Sequence, residues 1–122
     1  MQDEDKRLCP ECGRPVRGRQ DKKFCSADCR SAWHNRQRAH TDGVIRAVNR
    51  ILKRNRQILA ELNPEGKVRL PRARLLERGF RFDYHTHIYR TKSGNVYVFC
   101  YDQGYIELPG EYVALVQRAP VL

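Results

Sequence analysis

The sequence predicts an α+β protein of three consecutive parts. These are a cysteine-built finger, a long amphipathic helix and a small antiparallel sheet rich in aromatic residues. Three observations carry this. Four of the five cysteines fall before residue 30, in two close pairs. Between Val44 and Leu62 the apolar residues recur at alternating steps of three and four, the helical period. Nine of the eleven aromatic residues lie between Phe80 and Tyr112, in short runs separated by turn residues. The expected boundaries are 1–40 for the finger, 41–63 for a helix that links and covers, and 64–122 for the sheet module.

The cysteines read Cys9-Pro10-Glu11-Cys12, twelve residues, then Cys25-Ser26-Ala27-Asp28-Cys29. Two pairs that can each reach one ion, with a hairpin-sized spacer, match a tetrahedral four-thiolate zinc site. The polar stretch Met1–Arg7 offers no apolar core for a signal peptide, and no run approaches the roughly 20 apolar residues of a membrane span. A cytoplasmic location is therefore expected, where thiols stay reduced and closely spaced cysteines read as metal ligands rather than disulfides. Cys9, Cys12, Cys25 and Cys29 fill every position of one Zn²⁺, so the site is structural, with no open position for catalysis. Gly13 suits the positive φ after a knuckle, and Arg14–Lys23 suits two short strands and a turn. Ser26 is a good N-cap, with Asp28 in the first turn, so the second pair sits at a helix N-terminus whose partial positive charge favours thiolates. Knuckle, hairpin and helix together make a treble-clef arrangement. Arg14, Lys22, Lys23 and Arg30 are placed to offset the formal −2 of four thiolates on zinc.

At Cys9-x2-Cys12 and Lys22-Lys23-Phe24-Cys25-Ser26-x2-Cys29-Arg30 the chain resembles the "FCS" type of bacterial treble-clef zinc finger. Its Phe-Cys-Ser-x2-Cys turn is similar to that of small gyrase-inhibitor zinc proteins. This resemblance covers about residues 7–40 and implies metal binding. The remainder, through Gly79-Phe80-Arg81-Phe82 and Phe99–Tyr105, resembles uncharacterised bacterial proteins that carry such a finger at their N-terminus.

The helix opened at Ala27 is expected to reach His40. Trp33 falls four residues after Cys29 and should cover the metal site. Arg30, His34 and Arg38 form a second stripe flanked by Arg36 and Gln37, suited to phosphate contact or to plain solvation. His34-Asn35 evokes His-Asn-His nucleases, but these need a His base on the hairpin, and Arg14–Lys23 has none. Thr41-Asp42-Gly43 reads as a helix break, with Thr41 or Asp42 capping the next helix. In that helix Ile45, Val48, Leu52, Asn55, Leu59 and Leu62 form a stripe, widened by Val44, Ile51 and Ile58. It should cover the C-terminal sheet; the competing arrangement is a homodimer seam with Asn55 setting register.

Pro71 is expected to start a short helix, Arg72–Arg78, stopped by Gly79. Strands are expected at Phe80–Asp83, His85–Thr91, Val96–Tyr101 and Tyr105–Leu108, with turns at Lys92–Asn95 and Asp102–Gly104. Glu111–Arg118 suits either a helix or a strand. Tyr97, Phe99 and Tyr101 alternate onto one face, near Tyr89, Arg81 and Arg90, where they could stack bases. The ordinary expectation is that these rings form the core of a small domain. His85 and His87 share a face without a carboxylate pair, and Cys100 reads as a buried thiol.

The formal charge is +10, and residues 14–92 hold 21 Lys and Arg against 7 Asp and Glu. A basic body suggests an anionic partner, nucleic acid first. The sequence therefore points to a non-enzymatic, zinc-stabilised nucleic-acid-binding protein. Its phosphate contacts are expected from Arg14, Arg17, Arg19, Lys22, Lys23, Arg30, His34, Arg36 and Arg38. The alternative is a protein–protein adaptor built on the same structural finger. No nucleophile–base pair, phosphate loop or open metal site points to an enzyme. The expected state is a monomer, or a homodimer through Val44–Leu62.

Overall fold

A computed structural model describes residues 7–119; the leader reading of the N-terminus lies, up to Lys6, outside the described residues. The element order is β1 (Arg7–Leu8), β2 (Pro15–Val16), α1 (Ala27–Leu62), β3 (Lys67–Pro71), α2 (Arg72–Glu77), β4 (His87–Arg90), β5 (Val96–Cys100), β6 (Gln103–Leu108) and β7 (Tyr112–Gln117). The protein is α+β, as expected. It divides into one compact unit ending at Arg46 and another beginning at Ala47.

One expectation fails outright. Thr41-Asp42-Gly43 does not break the helix: α1 runs without interruption from Ala27 to Leu62, 36 residues. Ending and restarting a helix would strand up to four N–H and four C=O groups, whereas one interior Gly costs about 1 kcal/mol. Gly43 keeps a negative φ, and a Cβ built there meets nothing within 4 Å. Gly43→Ala is accordingly expected to stabilise the protein by about 0.5–1 kcal/mol, read as a raised thermal midpoint. An unchanged or lowered midpoint would show that Gly43 is not an ordinary helical residue.

In the second unit all strand pairs are antiparallel, in the spatial order β3-β7-β6-β5-β4. Its core gathers Ile58 and Leu59 of α1 with Leu70, Leu75, Phe80, Cys100, Tyr105, Val113 and Leu115. Leu52, Leu62 and Val98 pack against it. The C-terminal half of the apolar stripe thus covers the sheet, as the sequence suggests. At its N-terminal end Val44 and Ile45 are 50% and 51% exposed. Asn55 is no dimer seam residue. It is fully buried and holds the loop after α2, donating to the carbonyls of Arg81 (2.8 Å) and Tyr84 (3.2 Å) and accepting from the N–H of Arg81 (2.9 Å).

The loop it holds replaces the expected strand Phe80–Asp83. Phe80 and Phe82 turn inward against Tyr105 instead, in edge-on ring contacts. Helix α2 closes as expected, with Gly79 at φ +89° and the N–H groups of Gly79 and Phe80 bonded back to the carbonyls of Leu76 and Leu75. The strand before it, β3, is additional to the expected elements, and the segment after Glu111 resolves as strand β7. Strands β4 and β5 are trimmed by one or two residues at their ends, and β6 begins two residues earlier than expected. The β5–β6 turn consists of Tyr101 and Asp102, Tyr101 taking φ 62°, rather than Asp102–Gly104. Asp102 accepts two hydrogen bonds from Arg56 of α1, at 2.6 and 2.9 Å, which holds its carboxyl below the usual carboxylate range.

Register also settles where the aromatic rings go. Val98 pairs with Tyr105 and Tyr105 with Leu115, all on the helix side. Alternation then puts His87, Tyr89, Tyr97, Phe99, Gly104 and Val116 on the opposite face. Phe99, 5% exposed, is buried as expected but on this opposite face; Tyr97 is half-buried there, and Tyr101 belongs to the turn. Cys100 is buried, its thiol pushed up by that burial.

Candidate metal centre

The first unit is built around its cysteines. Pro15 and Val16 pair with Leu8 and Arg7, so the knuckle Cys9–Cys12 is the loop of a short hairpin. Both strands were expected after the knuckle; one precedes it, and residues 17–26 form turns and bends. Gly13, at φ +80°, donates to the Cys9 carbonyl (2.9 Å), and the Cys9 N–H reaches the Arg14 carbonyl (2.8 Å). Ser26 caps α1 as expected, its hydroxyl accepting from the Cys29 N–H at 3.1 Å. The cap fixes one cysteine before and one inside the first turn, facing the knuckle.

The ligand atoms of Cys9, Cys12, Cys25 and Cys29 all lie within 4.8 Å of one another. Cys12 and Cys25, and Cys25 and Cys29, have sulfurs 3.5 Å apart. Four sulfurs on a tetrahedron at zinc-thiolate bond lengths would be ~3.8 Å apart. Disulfide sulfurs would be about 2.05 Å apart, and all four cysteines are free. The cluster can hold a metal ion, and it is the single such group of His, Cys, Asp and Glu among the described residues. His85 and His87 form none.

The electrostatics ask for a cation. Burial raises the Cys9 thiol, but backbone N–H groups of Cys25, Cys12 and Glu11 aimed at its sulfur outweigh this and bring it down to about 6. The neighbouring Cys12 sulfur pushes Cys25 up. At Cys29 the Ser26 hydroxyl favours the thiolate. The Cys25 sulfur, burial and the remaining sulfurs override it, driving Cys29 up to about 12. Four thiolates in one cluster repel each other unless a positive ion sits among them.

Around the sulfurs lies a small apolar shell. Val16 and Phe24 are buried with Cys9, and Trp33 packs against them as predicted, its ring 5.7 Å from Phe24. Arg7, to which no spacing points, ties the loop down by donating to the carbonyls of Gln20 and Lys22, both at 2.6 Å.

The nine expected phosphate-contact residues divide. His34 is exposed, and its ring packs on Trp33 (5.2 Å) and Phe24 (5.8 Å). Arg36 pairs with Glu11, and Arg38 donates to the Asn35 side chain. Lys23 lies over the Trp33 ring at 5.6 Å. Arg14 and Arg17 are exposed beside the hairpin. Arg19, Lys22, Lys23 and Arg30 are brought together: with Gly18, Asp21 and the start of α1 they line an open cleft of about 620 Å³. Asp21 is the one carboxylate in it and stands 3.7 Å from Arg19. Among the described residues, no helix is long and apolar enough to cross a membrane.

Comparison of the chain with protein-family models, with curated proteins and with solved structures finds no match.

Proposed function

We propose that the protein is a non-enzymatic nucleic-acid-binding protein whose finger, of treble-clef type, is held by one structural zinc ion and grips phosphates. The observation that carries this reading is the basic cleft. Arg19, Lys22, Lys23 and Arg30 line one concavity with Ser26 and Ala27 at the start of α1. Helix N-terminal N–H groups and clustered cations both favour a phosphate. The only acid in the cleft has a basic neighbour of its own. The zinc would be held by Cys9, Cys12, Cys25 and Cys29, four soft ligands that suit it. It supplies rigidity, fixing the first turn of α1 against the cleft-lining loop.

The test is a titration of short duplex DNA at several salt concentrations. Log affinity should fall linearly with log salt, by about 0.9 per neutralised phosphate. Replacing Lys22 and Arg30 together by Glu should weaken binding severalfold at low salt and flatten that slope by about one to two contacts. Flat titrations at low salt, with duplex and single strands alike, would sink the proposal and leave the adaptor reading in its place.

A further inference from the structure

We propose that the sheet face turned away from α1 is a second nucleic-acid site, which stacks an unpaired base of a single strand. It rests on the nucleic-acid reading above, and it arises from a different unit of the chain.

This face is built rather than left over. Tyr89 and Tyr97 stand directly opposite each other on β4 and β5, and Phe99 is the next residue on the same side of β5. With Val116 and Arg118 these rings line a hollow of about 410 Å³. Its floor depends on Gly104, where a Cβ would come within 2.6 Å of the Phe99 ring; with none present, Phe99 lies flat across the strand. Phe99 itself is buried, with His87 stacked on it at 5.0 Å and 3°, so it forms the base of the hollow and the rings left for a ligand to stack on are Tyr89 and Tyr97. Arg118 sits 5.5 Å above Phe99, a cation over an aromatic face. Tyr89 remains 53% exposed, so its ring is accessible to a ligand.

Charge names the occupant. On this face the strand residues include Lys67 and Arg69 and no carboxylate, and Arg118 adds a third cation just past β7. Glu107 falls on the other side by alternation. An apolar, aromatic hollow with Arg118 in its wall, on a strand face without a carboxylate, suits a ligand that is flat at its centre and anionic at its edge. An unpaired nucleobase on its phosphate backbone has that form. A duplex, whose bases are stacked inside, cannot offer it.

The experiment compares a short oligothymidine with an abasic deoxyribose-phosphate strand of equal length and charge, and with a duplex. The proposal expects oligothymidine to bind the full chain at least about tenfold more tightly than the abasic strand. Tyr89→Ala should remove most of that difference while leaving abasic and duplex affinities unchanged; Tyr89→Phe should keep it. Tyr97→Ala, on the opposing strand, should act like Tyr89→Ala and guards against one variant misfolding. Equal binding of the oligothymidine and abasic strands would overturn the stacking site yet leave phosphate binding at the finger intact. No binding by any strand would overturn both. A concentration-dependent dimer that Tyr89→Ala dissolves, with no preference for bases, would also overturn it, assigning the face to a second copy of the chain.

Discussion

Removing the metal with a strong chelator is expected to collapse the finger while leaving the five-stranded sheet folded. The reason lies in what each unit can bury. Apart from its ligands, the finger's core holds Val16, Phe24 and the partly buried Trp33. Three side chains contribute about 1.5–3 kcal/mol each. The backbone from Arg7 to Ser26 has almost no regular hydrogen bonding to offset the entropy of ordering it. Metal binding, at about 10–16 kcal/mol, stabilises such a segment more than its few buried side chains can. The sheet unit buries nine residues in a continuous core and uses no cysteine cluster. Trp33 is the one tryptophan, so its emission reports on the finger alone, while amide exchange in β5–β7 reports on the sheet. Elemental analysis of protein prepared reduced should give one zinc per chain. Chelation, or Cys29→Ser, should shift Trp33 emission towards that of a solvated indole and leave sheet protection unchanged. Emission unmoved after verified metal loss would show that the finger stands without its ion.

The metal cluster was the most legible feature in the sequence because its chemistry is written in residue type and spacing. Four cysteines in two close pairs match the spacing of a four-thiolate site. The Ser26 cap and the Trp33 cover followed from local rules that span three or four residues. The helix break failed for the opposite reason. Thr41-Asp42-Gly43 is a sound local stop signal, but local preference of about 1 kcal/mol does not outweigh a continuous ladder of backbone hydrogen bonds. Turn chemistry misled in the same way at Asp102-Gln103-Gly104. There Gly104 is needed for the Phe99 ring above it, not for the turn.

The candidate contacts were less legible because pairing across the fold is invisible to spacing. Nothing near Arg36 points to Glu11, 25 residues earlier, and nothing near Arg7 points to the carbonyls of Gln20 and Lys22. Both cations have internal partners. Conversely, alternation placed Tyr97 and Phe99 on one face, and only the register with β6 and β7 revealed that this face is the one away from the core. The cleft and the aromatic hollow both emerge at that level.

Asn55→Leu is the second large effect, an expected loss of about 3 kcal/mol despite the gain of an apolar side chain in an apolar core. Asn55 is fully buried among Ile58, Leu59 and their partners, where a leucine of similar size would ordinarily be welcome. Its amide, however, ties down a loop whose own backbone supplies one long hydrogen bond, Tyr84 N–H to the Arg81 carbonyl at 3.3 Å. The Nδ2 group donates to two carbonyls, those of Arg81 and Tyr84, and Oδ1 accepts the Arg81 N–H. Only this orientation of the amide satisfies all three. Leucine would leave the Arg81 N–H without its partner and strip the Arg81 carbonyl back to the Tyr84 N–H (3.3 Å) and the Tyr84 carbonyl back to the weak Cys100 thiol donor (3.7 Å); three hydrogen bonds are lost, and the group left unpaired costs about 1–3 kcal/mol if water cannot reach it. The loop would then open to find water. Doing so withdraws Phe82 from Phe80 and Tyr105, so part of the core loosens with it. For a unit of this size the thermal midpoint should drop by on the order of 15 °C, with the metal site unaffected. Asn55→Ala should cost as much or slightly more, since it adds a cavity. If Asn55→Leu is as stable as the parent, the three hydrogen bonds contribute nothing net. The buried asparagine would then have to be retained for something other than holding Arg81–Tyr84 in place.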